Sequence, residues 1–320
     1  MKTLCKTFAT LAVAIAAADA HAAWPDRPVK LVVPYAAGGA ADAVARVVAA
    51  ELGTRLKQQV MVENKPGAGG TLGAQAVAKA AADGTTLLYD ATSFTVNPSL
   101  FPKLGFDYAK DFVPVGMVAR IPTLLVVPAG SPVKSVAELV QRARAQPGKT
   151  TYASAGNGGA AHLSAELFAQ GLKLSLVHVP YKGGAPALTD LAGGQVDMMF
   201  SAIAASGPLV KGGKLRAIAT AFDHRIESMP DVPTVAESGL PGFSAYEWNA
   251  VWAPAGTPPE IVQRLEAELR EALQQPAVRQ RLAEMGALPA AGGAKELGEF
   301  VRAETTKWAA VVKAAAIKVD

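Results

Sequence analysis

Short apolar runs rich in β-branched residues alternate with longer Ala-rich segments along most of this chain. The runs at 29–35, 60–63 and 85–90 predict strands, and the segments at 41–56 and 72–82 predict helices. Because the runs are continuously apolar rather than alternating, we expect strands that are buried on both faces. This order of elements is typical of an α/β protein with a mainly parallel sheet.

The same order resumes after a strand near residues 124–127. A capping box, in which Ser135 and Glu138 satisfy free N–H groups, predicts a helix that runs to residue 146. Further strands are predicted at 151–154, 175–180, 196–200 and 215–220, and further helices at 162–172 and 186–191. These elements form a second set of βαβ units.

The character of the chain changes near residue 249. A strand at 249–253 precedes three amphipathic helices, at 261–274, 277–285 and 294–316, and we expect Thr257 to cap the first of them. Helices alone cannot form an α/β core, so we expect this region to pack on the first unit. The predicted organisation is therefore a discontinuous lobe 1, residues 23–125 and 249–320, and a lobe 2, residues 126–248, with two crossovers between them and Trp248 packed near the second.

The first 22 residues are predicted to be a cleavable signal peptide. Lys2 and Lys6 precede an apolar run at 8–18, and Ala20 and Ala22 provide small residues at the cleavage site. The run is too short to span a bilayer as a helix. The only cysteine, Cys5, lies inside this segment, so the mature chain is expected to hold no disulfide and no Cys-ligated metal. We expect a soluble periplasmic protein.

Charge and catalytic motifs exclude several classes of function. The formal net charge of +4 falls to +3 once the leader is removed, and no run of five Lys or Arg exists, so a nucleic-acid surface is not favoured. The mature histidines His162, His178 and His224 show no metalloprotease spacing, and no nucleophile elbow is present. We therefore expect no metal, no cofactor and no catalytic centre.

Two glycine-rich loops, each between a strand and a helix, are the candidate binding elements. The first, "PYAAGGAAD" at 34–42, contributes Tyr35, Ala37, Gly38 and Gly39. Ligands of open α/β sheets lie beyond the carboxyl ends of strands, where helix N-termini offer unpaired N–H groups to a carboxylate. The glycines let the backbone approach a ligand, although they could also serve only a tight turn.

The second loop, "YASAGNGGA" at 152–160, repeats this design and contributes Ser154, Ala155, Gly156 and Asn157. We expect the Ser154 and Asn157 side chains to bond backbone N–H groups from Gly156 onward. Two such loops that face each other would clamp a carboxylate.

Four polar residues near strand ends complete the candidate site. Thr92 and Ser93 follow the third strand and offer hydroxyls, although either could instead cap a helix. Tyr181 is expected to wall the cleft. Asp197 either binds an amine or hydroxyl of the solute or is structural, because its carboxylate would repel an anion.

Several motifs, in this order, show that the chain resembles the Bug-type solute receptors of tripartite tricarboxylate transporters, over about residues 24–317. The matching stretches are "WPDRPVKLVVPYAAGGAADAVAR", "VENKPGAGGTLGA", "PGKTTYASAGNGGAAHLSAELF", "HVPYKGGAPALTDLAGGQVDMMF", "GKLRAIA", "MPDVPTVAESG" and "APAGTPPEIV". The resemblance implies a type II periplasmic-binding-protein fold, two Rossmann-like lobes joined by a two-strand hinge. It further implies a monomeric receptor that delivers a small carboxylate-bearing solute to membrane transporter subunits.

The chain departs from this family at the candidate site. The family usually has Ser where this chain has Gly159, and often Pro at Ala36 and Ala37. The first change removes a hydroxyl that could donate to the ligand, so the ligand preferences usual in the family need not hold for this chain. Two other functions share these sequence features: a sensor that presents the loaded protein to a signalling partner, and a hydrolase built on the same lobes.

Overall fold

The computed structural model describes residues 24–290 and 292–319 and contains two β-sheets flanked by helices. The strands are β1 (Val29–Val33), β2 (Val60–Asn64), β3 (Thr86–Ala91), β4 (Phe112–Ile121), β5 (Thr123–Pro128), β6 (Thr151–Ser154), β7 (Val177–Pro180), β8 (Met198–Ala202), β9 (Leu215–Thr220), β10 (Glu247–Pro254) and β11 (Leu288–Pro289). The helices are α1 (Ala40–Leu56), α2 (Thr71–Ala78), α3 (Ser93–Leu100), α4 (Val136–Ala145), α5 (Ala160–Leu172), α6 (Gly184–Ala192), α7 (Ile203–Lys211), α8 (Pro259–Gln274), α9 (Pro276–Glu284) and α10 (Ala294–Ala314), with a 3₁₀ turn at Ala68–Gly70.

The first sheet has the strand order β11-β4-β10-β3-β1-β2, and the second has the order β7-β6-β8-β5-β9. In the first sheet, β1 pairs in parallel with both β2 and β3, while β10 runs antiparallel between β3 and β4. In the second, β6 is parallel to β7 and β8, and β5 is antiparallel to its two neighbours. The sheets are therefore mixed, with antiparallel strands where the chain crosses between them.

The chain crosses between the sheets at Pro122 and again at Tyr246. Pro122 separates β4 from β5, and Tyr246 immediately precedes β10. The two crossings are adjacent, because Glu247 pairs with Ile121. The predicted lobe limits at 125/126 and 248/249 fall inside β5 and β10, three and two residues after these crossings.

The C-terminal helices pack in two places. Leu265 of α8 and Leu282 of α9 join the core on one face of the first sheet, as expected for this region. The second half of α10 differs, because Trp308 and Val312 pack in the core of the second sheet with Phe168. The end of α10 therefore packs with the second sheet, unlike the rest of the C-terminal region, and α10 as a whole also contacts α3.

Helix starts deviate from the predicted caps at two places. The Ser135 hydroxyl accepts the Glu138 N–H as expected, but Glu138 Oε2 accepts the N–H of Lys134 rather than that of Ser135. At α8 the cap position is Pro258, and the Thr257 hydroxyl instead donates to the Pro254 carbonyl at 2.8 Å. The helix begins two residues earlier than predicted.

The predicted signal peptide lies outside the described residues. In the part of the chain that the structure describes, no helix is both long enough and apolar enough to cross a membrane.

Candidate functional site

A cavity of about 740 Å³ lies between the two sheets, beyond the carboxyl ends of β1, β3 and β6. Its volume is in the range of small-molecule sites. Residues of the predicted site that line it are Tyr35, Gly39, Thr92, Ser93 and Asn157. The first sheet also supplies Ala40, Ala41 and residues 66–70, and the second side supplies Gly158, Gly159, Ala160 and Leu163.

The two glycine loops have the same backbone geometry. Gly38 and Gly158 adopt φ of 82° and 71°, the left-handed region that favours glycine. Gly39 and Gly159 follow as the N-caps of α1 and α5, with φ/ψ of −76°/167° and −74°/166°. The prediction that the second loop repeats the design of the first agrees with this geometry.

Each loop is fixed by a side chain one turn into the following helix. Asp42 Oδ2 accepts the Gly38 N–H at 2.8 Å, and His162 Nδ1 accepts the Gly158 N–H at 3.0 Å. Burial would raise the pKa of Asp42, but hydrogen bonds from Arg46, Gly38 and Asn64 outweigh burial and lower it to about 2. Burial lowers the pKa of His162 to about 4, so its imidazole is neutral and accepts this bond near pH 7.

These bonds leave the first N–H groups of both helices without acceptors. A helix cannot satisfy its first N–H groups internally. The backbone N–H groups of Ala40, Ala41 and Ala160 donate to no backbone or side-chain atom of the described residues. Because these three residues line the cavity, both helix N-termini point free donors and positive dipole ends at one space.

Three oxygens, from Asp90 and Ser93 at the β3–α3 junction and from Tyr35 after β1, lie at hydrogen-bond distance from one another. Asp90 Oδ1 accepts from the Tyr35 hydroxyl at 2.5 Å and from the Ser93 hydroxyl at 2.6 Å, and these two hydroxyls lie 2.5 Å apart. The Asp90 side chain is fully buried, and burial raises the pKa of Asp90 to about 6 against the opposing effect of these bonds. Burial, followed by the Asp90 charge, raises the pKa of Tyr35 well above its usual value.

The floor of the cavity carries polar groups that the protein does not satisfy. Thr92 Oγ1 and Asn249 Oδ1 are buried and have no hydrogen-bond partner in the described chain. Glu247 also lines the cavity, and burial raises the pKa of its carboxyl group. No Lys or Arg occurs among the described lining residues. An unpaired buried polar group costs free energy, so these atoms indicate a place for ligand or ordered water.

The rest of the predicted site lies beside or away from the cavity. Ala37, Gly38, Ala155 and Gly156 belong to the two loops but do not form its wall. Ser154 is buried behind its loop, where its hydroxyl accepts the Gly156 N–H at 3.2 Å and contacts His178 Nε2 at 2.6 Å. The corresponding bond predicted for the Asn157 side chain is not formed to any described residue.

Tyr181 and Asp197 have structural partners instead of a position in the cavity wall. The Tyr181 hydroxyl donates to Asp190 at 2.9 Å. Asp197 accepts from Arg142 at 2.8 Å and from both the N–H and the hydroxyl of Thr151. Asp197 precedes β8, so it lies at the edge of the sheet opposite the cavity, which supports the structural alternative for this residue.

Comparison with known proteins decides the family. The model of the tripartite tricarboxylate transporter family receptor, TctC, matches residues 44–317. This chain belongs to that family. BugT of Bordetella pertussis is 39% identical over 301 residues, which cover 93% of this chain and 92% of BugT.

Solved structures of similar proteins agree with this membership. Rpa4515 of R. palustris, solved with adipate, matches with a TM-score of 0.79 at 38% identity and covers 92% of this chain and 99% of its own. MatC of Rhodopseudomonas palustris, solved with bound malate, has a TM-score of 0.75 at 39% identity, covering 90% and 100%. The predicted family and the periplasmic-binding-protein fold are thereby confirmed.

Several residues of this TctC-family site were not identified from the sequence. Glu247 and Asn249 reach the cavity from β10, Asn97 and Leu100 from α3, and Val319 from the C-terminal end. The alternation Glu247-Trp248-Asn249-Ala250, in a strand otherwise made of apolar residues, is the signal that would have indicated a polar face there. The glycine-rich loop at 66–70 also lines the cavity.

The described residues contain no group of side chains that could bind a metal ion. Across residues 24–290 and 292–319, no three His, Cys, Asp or Glu side chains are grouped so that they could hold a metal ion.

Proposed function

We propose that this chain is a periplasmic receptor that binds a small carboxylate in the cavity between its two sheets and delivers it to the membrane subunits of a tripartite tricarboxylate-type transporter. The observation that carries the proposal is the pair of free helix N-termini, at Ala40–Ala41 and at Ala160, that line one cavity. A carboxylate can accept hydrogen bonds from both at once. Adipate and malate, present in the two related structures, are carboxylates of this kind.

The same geometry supports a receptor over a hydrolase. The Ser154–His178 pair is the only Ser–His contact that we find among the described residues, and it lies behind the loop with Ser154 fully buried. Burial, together with the nearby His162, lowers the pKa of His178 to about 4. An inaccessible serine cannot attack a ligand in the cavity, so this pair supports the loop rather than catalysis.

We further propose that the two lobes meet at the crossings Pro122 and Tyr246 and close on the ligand by rotation about them. Apart from the end of α10, which packs in the core of the second sheet, the crossings are two adjacent single chains, a small connection that favours hinge motion. Transporter subunits would then recognise the closed form of a monomeric receptor. The predicted leader would direct export and would be cleaved after Ala22.

The deciding experiment identifies what the purified protein carries. Mass spectrometry of small molecules released by denaturation, followed by thermal-shift screening and calorimetry of carboxylates, should give at least one stoichiometric carboxylate ligand. Turnover of that ligand on prolonged incubation would instead support an enzyme. Absence of binding by every carboxylate would contradict the proposal.

A further inference from the structure

The cavity has a donor end and an acceptor end. The donor end consists of the free N–H groups of Ala40, Ala41 and Ala160, which suit a carboxylate. Hydrogen-bond acceptors are found instead on the floor of the cavity, where the side chains around β3 and β10 are rich in oxygen atoms. A ligand that spans the cavity therefore meets different chemistry at its two ends.

The Tyr35–Ser93–Asp90 group presents acceptors to the cavity. Its three oxygens lie within 2.6 Å of one another, which requires hydroxyl hydrogens between them. Tyr35 and Ser93 have one hydroxyl hydrogen each, and both are used in the bonds that these hydroxyls donate to Asp90 Oδ1. Only lone pairs of Tyr35 and Ser93, both of which line the cavity, remain for a ligand.

Glu247 adds a carboxyl group to this floor without a partner. Glu247 and Asn249 lie two positions apart on β10, so their side chains project from the same face of the strand. Within the described residues, Glu247 forms no ion pair and its side chain makes no hydrogen bond, and Asn249 Oδ1 is a buried acceptor without a donor. Among the described residues of the wall there is no Lys or Arg, so none of them neutralises Glu247 or the buried Asp90.

We propose that Glu247 selects the ligand class: a carboxylate whose other end is a hydrogen-bond donor, a hydroxyl or an ammonium group, rather than a second ionised carboxylate. The proposal rests on the proposed function, since it requires the carboxylate end to bind at α1 and α5. A donor at the far end satisfies Glu247 and the lone pairs of Tyr35 and Ser93. A second carboxylate there would face acceptors and negative charge without a counter-ion.

Matched probes test this selection directly. Calorimetry compares three straight-chain acids of equal length, one ending in a second carboxylate, one in a hydroxyl and one in an amine, at chain lengths of four, five and six carbons. For the wild-type protein, we expect the better donor-ended acid to bind at least about tenfold more tightly than the dicarboxylate, which corresponds to about 1.4 kcal/mol. Whether the hydroxyl or the amine is preferred identifies the donor.

Glu247→Gln is the deciding variant, because it keeps the shape of the side chain and removes the charge. The preference for donor-ended acids should fall below about threefold, with most of the change due to tighter dicarboxylate binding. Glu227→Gln, at an exposed position outside the cavity, is the matched control and should change nothing. Thermal unfolding verifies that both variants are folded.

The outcomes separate the two proposals. Tighter binding of dicarboxylates by the wild type, or an unchanged preference in Glu247→Gln, overturns the role of Glu247 and leaves the carboxylate receptor intact. Should Glu247→Gln fail to fold, the wild-type ranking of the probes still decides the ligand class. Absence of binding by all probes and by the carboxylates of the wider screen contradicts the receptor function itself.

Discussion

Gly39 is the position where a single added side chain should block the ligand and spare the fold. Its φ of −76° suits any L-residue, and an added Cβ would meet only the Ala36 carbonyl oxygen, at 3.4 Å. Gly39 lines the cavity directly before the free N–H groups of Ala40 and Ala41. A valine side chain at position 39 would therefore occupy the approach to these donors rather than displace protein atoms.

The expected loss follows from the bonds that are blocked. A hydrogen bond to a charged group contributes about 1.5–3 kcal/mol, so losing one such bond weakens binding about tenfold to a hundredfold. We predict this loss for Gly39→Val and a smaller one for Gly39→Ala. The cost to the free energy of unfolding should stay within about 1 kcal/mol, the usual effect at a helix N-cap.

Calorimetry on the identified ligand measures the effect, with denaturant unfolding as the test of fold. Gly130→Val is the matched control, because Gly130 has no atom within 4 Å of an added Cβ and lies outside the cavity. Gly159→Val is the equivalent change across the cavity, where an added Cβ meets Gly156 O at 3.6 Å. If both loops hold the same carboxylate, the double variant with Gly39→Val and Gly159→Val should lose less binding free energy than the sum of the losses in the two single variants. Unchanged affinity in Gly39→Val would remove this loop from the site.

Three further predictions concern salt, pH and export. Because no described cation lines the cavity, the affinity for the ligand should change by less than about threefold between 20 and 300 mM salt. Lys65→Ala and Lys182→Ala should likewise have little effect. A tenfold loss of affinity, on raising the salt or in either variant, would reveal an ion pair. Burial lowers the pKa of His162 from 6.5 to about 4, so as the pH falls the imidazole is protonated in the unfolded chain before it is protonated in the folded one. The free energy of unfolding should therefore decrease between pH 7 and pH 5, by up to about 2 kcal/mol from His162. His162→Asn keeps an acceptor but cannot titrate, so it should remove the share of His162 from the pH dependence in denaturant unfolding and leave that of His178, whose pKa is also lowered to about 4. An equally steep dependence would assign it to other groups. Intact mass of secreted protein should give Ala23 as the first residue, and retention of the leader would contradict export by cleavage.

Strands with a continuous apolar sequence could be predicted, and those with interruptions could not. The strand β9 was predicted with its correct limits, and β1 to within two residues at its end. The ten-residue β4 was missed because Pro114 and Gly116 interrupt its apolar pattern. Pro114 sits where the register with β10 shifts, and an added Cβ on Gly116 would lie 3.1 Å from Leu269. Proline at a bulge and glycine beneath a packed helix are both tolerated in a strand because of tertiary contacts, which the local sequence pattern does not reveal.

The glycine loops were predictable because their chemistry is local. A glycine pair between a strand and a helix is enough to place free N–H groups beyond the strand, wherever the rest of the chain lies. The floor of the cavity is different, since Glu247 and Asn249 reach it only because β10 returns between β3 and β4. That pairing joins residues more than 120 positions apart along the chain, at Glu247 and Ile121.

Asp197 shows how much depends on which end of a strand a residue occupies. The predicted strand at 196–200 included Asp197, so the prediction did not say whether this residue lies at the edge of the sheet that faces the ligand. The observed β8 begins at Met198, directly after Asp197. β8 is parallel to β6, so the carboxyl ends of both strands point to the cavity and their starts point away. Asp197 therefore meets Thr151, the first residue of β6, and pairs with Arg142. The rule that ligands lie beyond the carboxyl ends of parallel strands holds here, and applied to the correct limits of β8 it would have excluded Asp197 from the site.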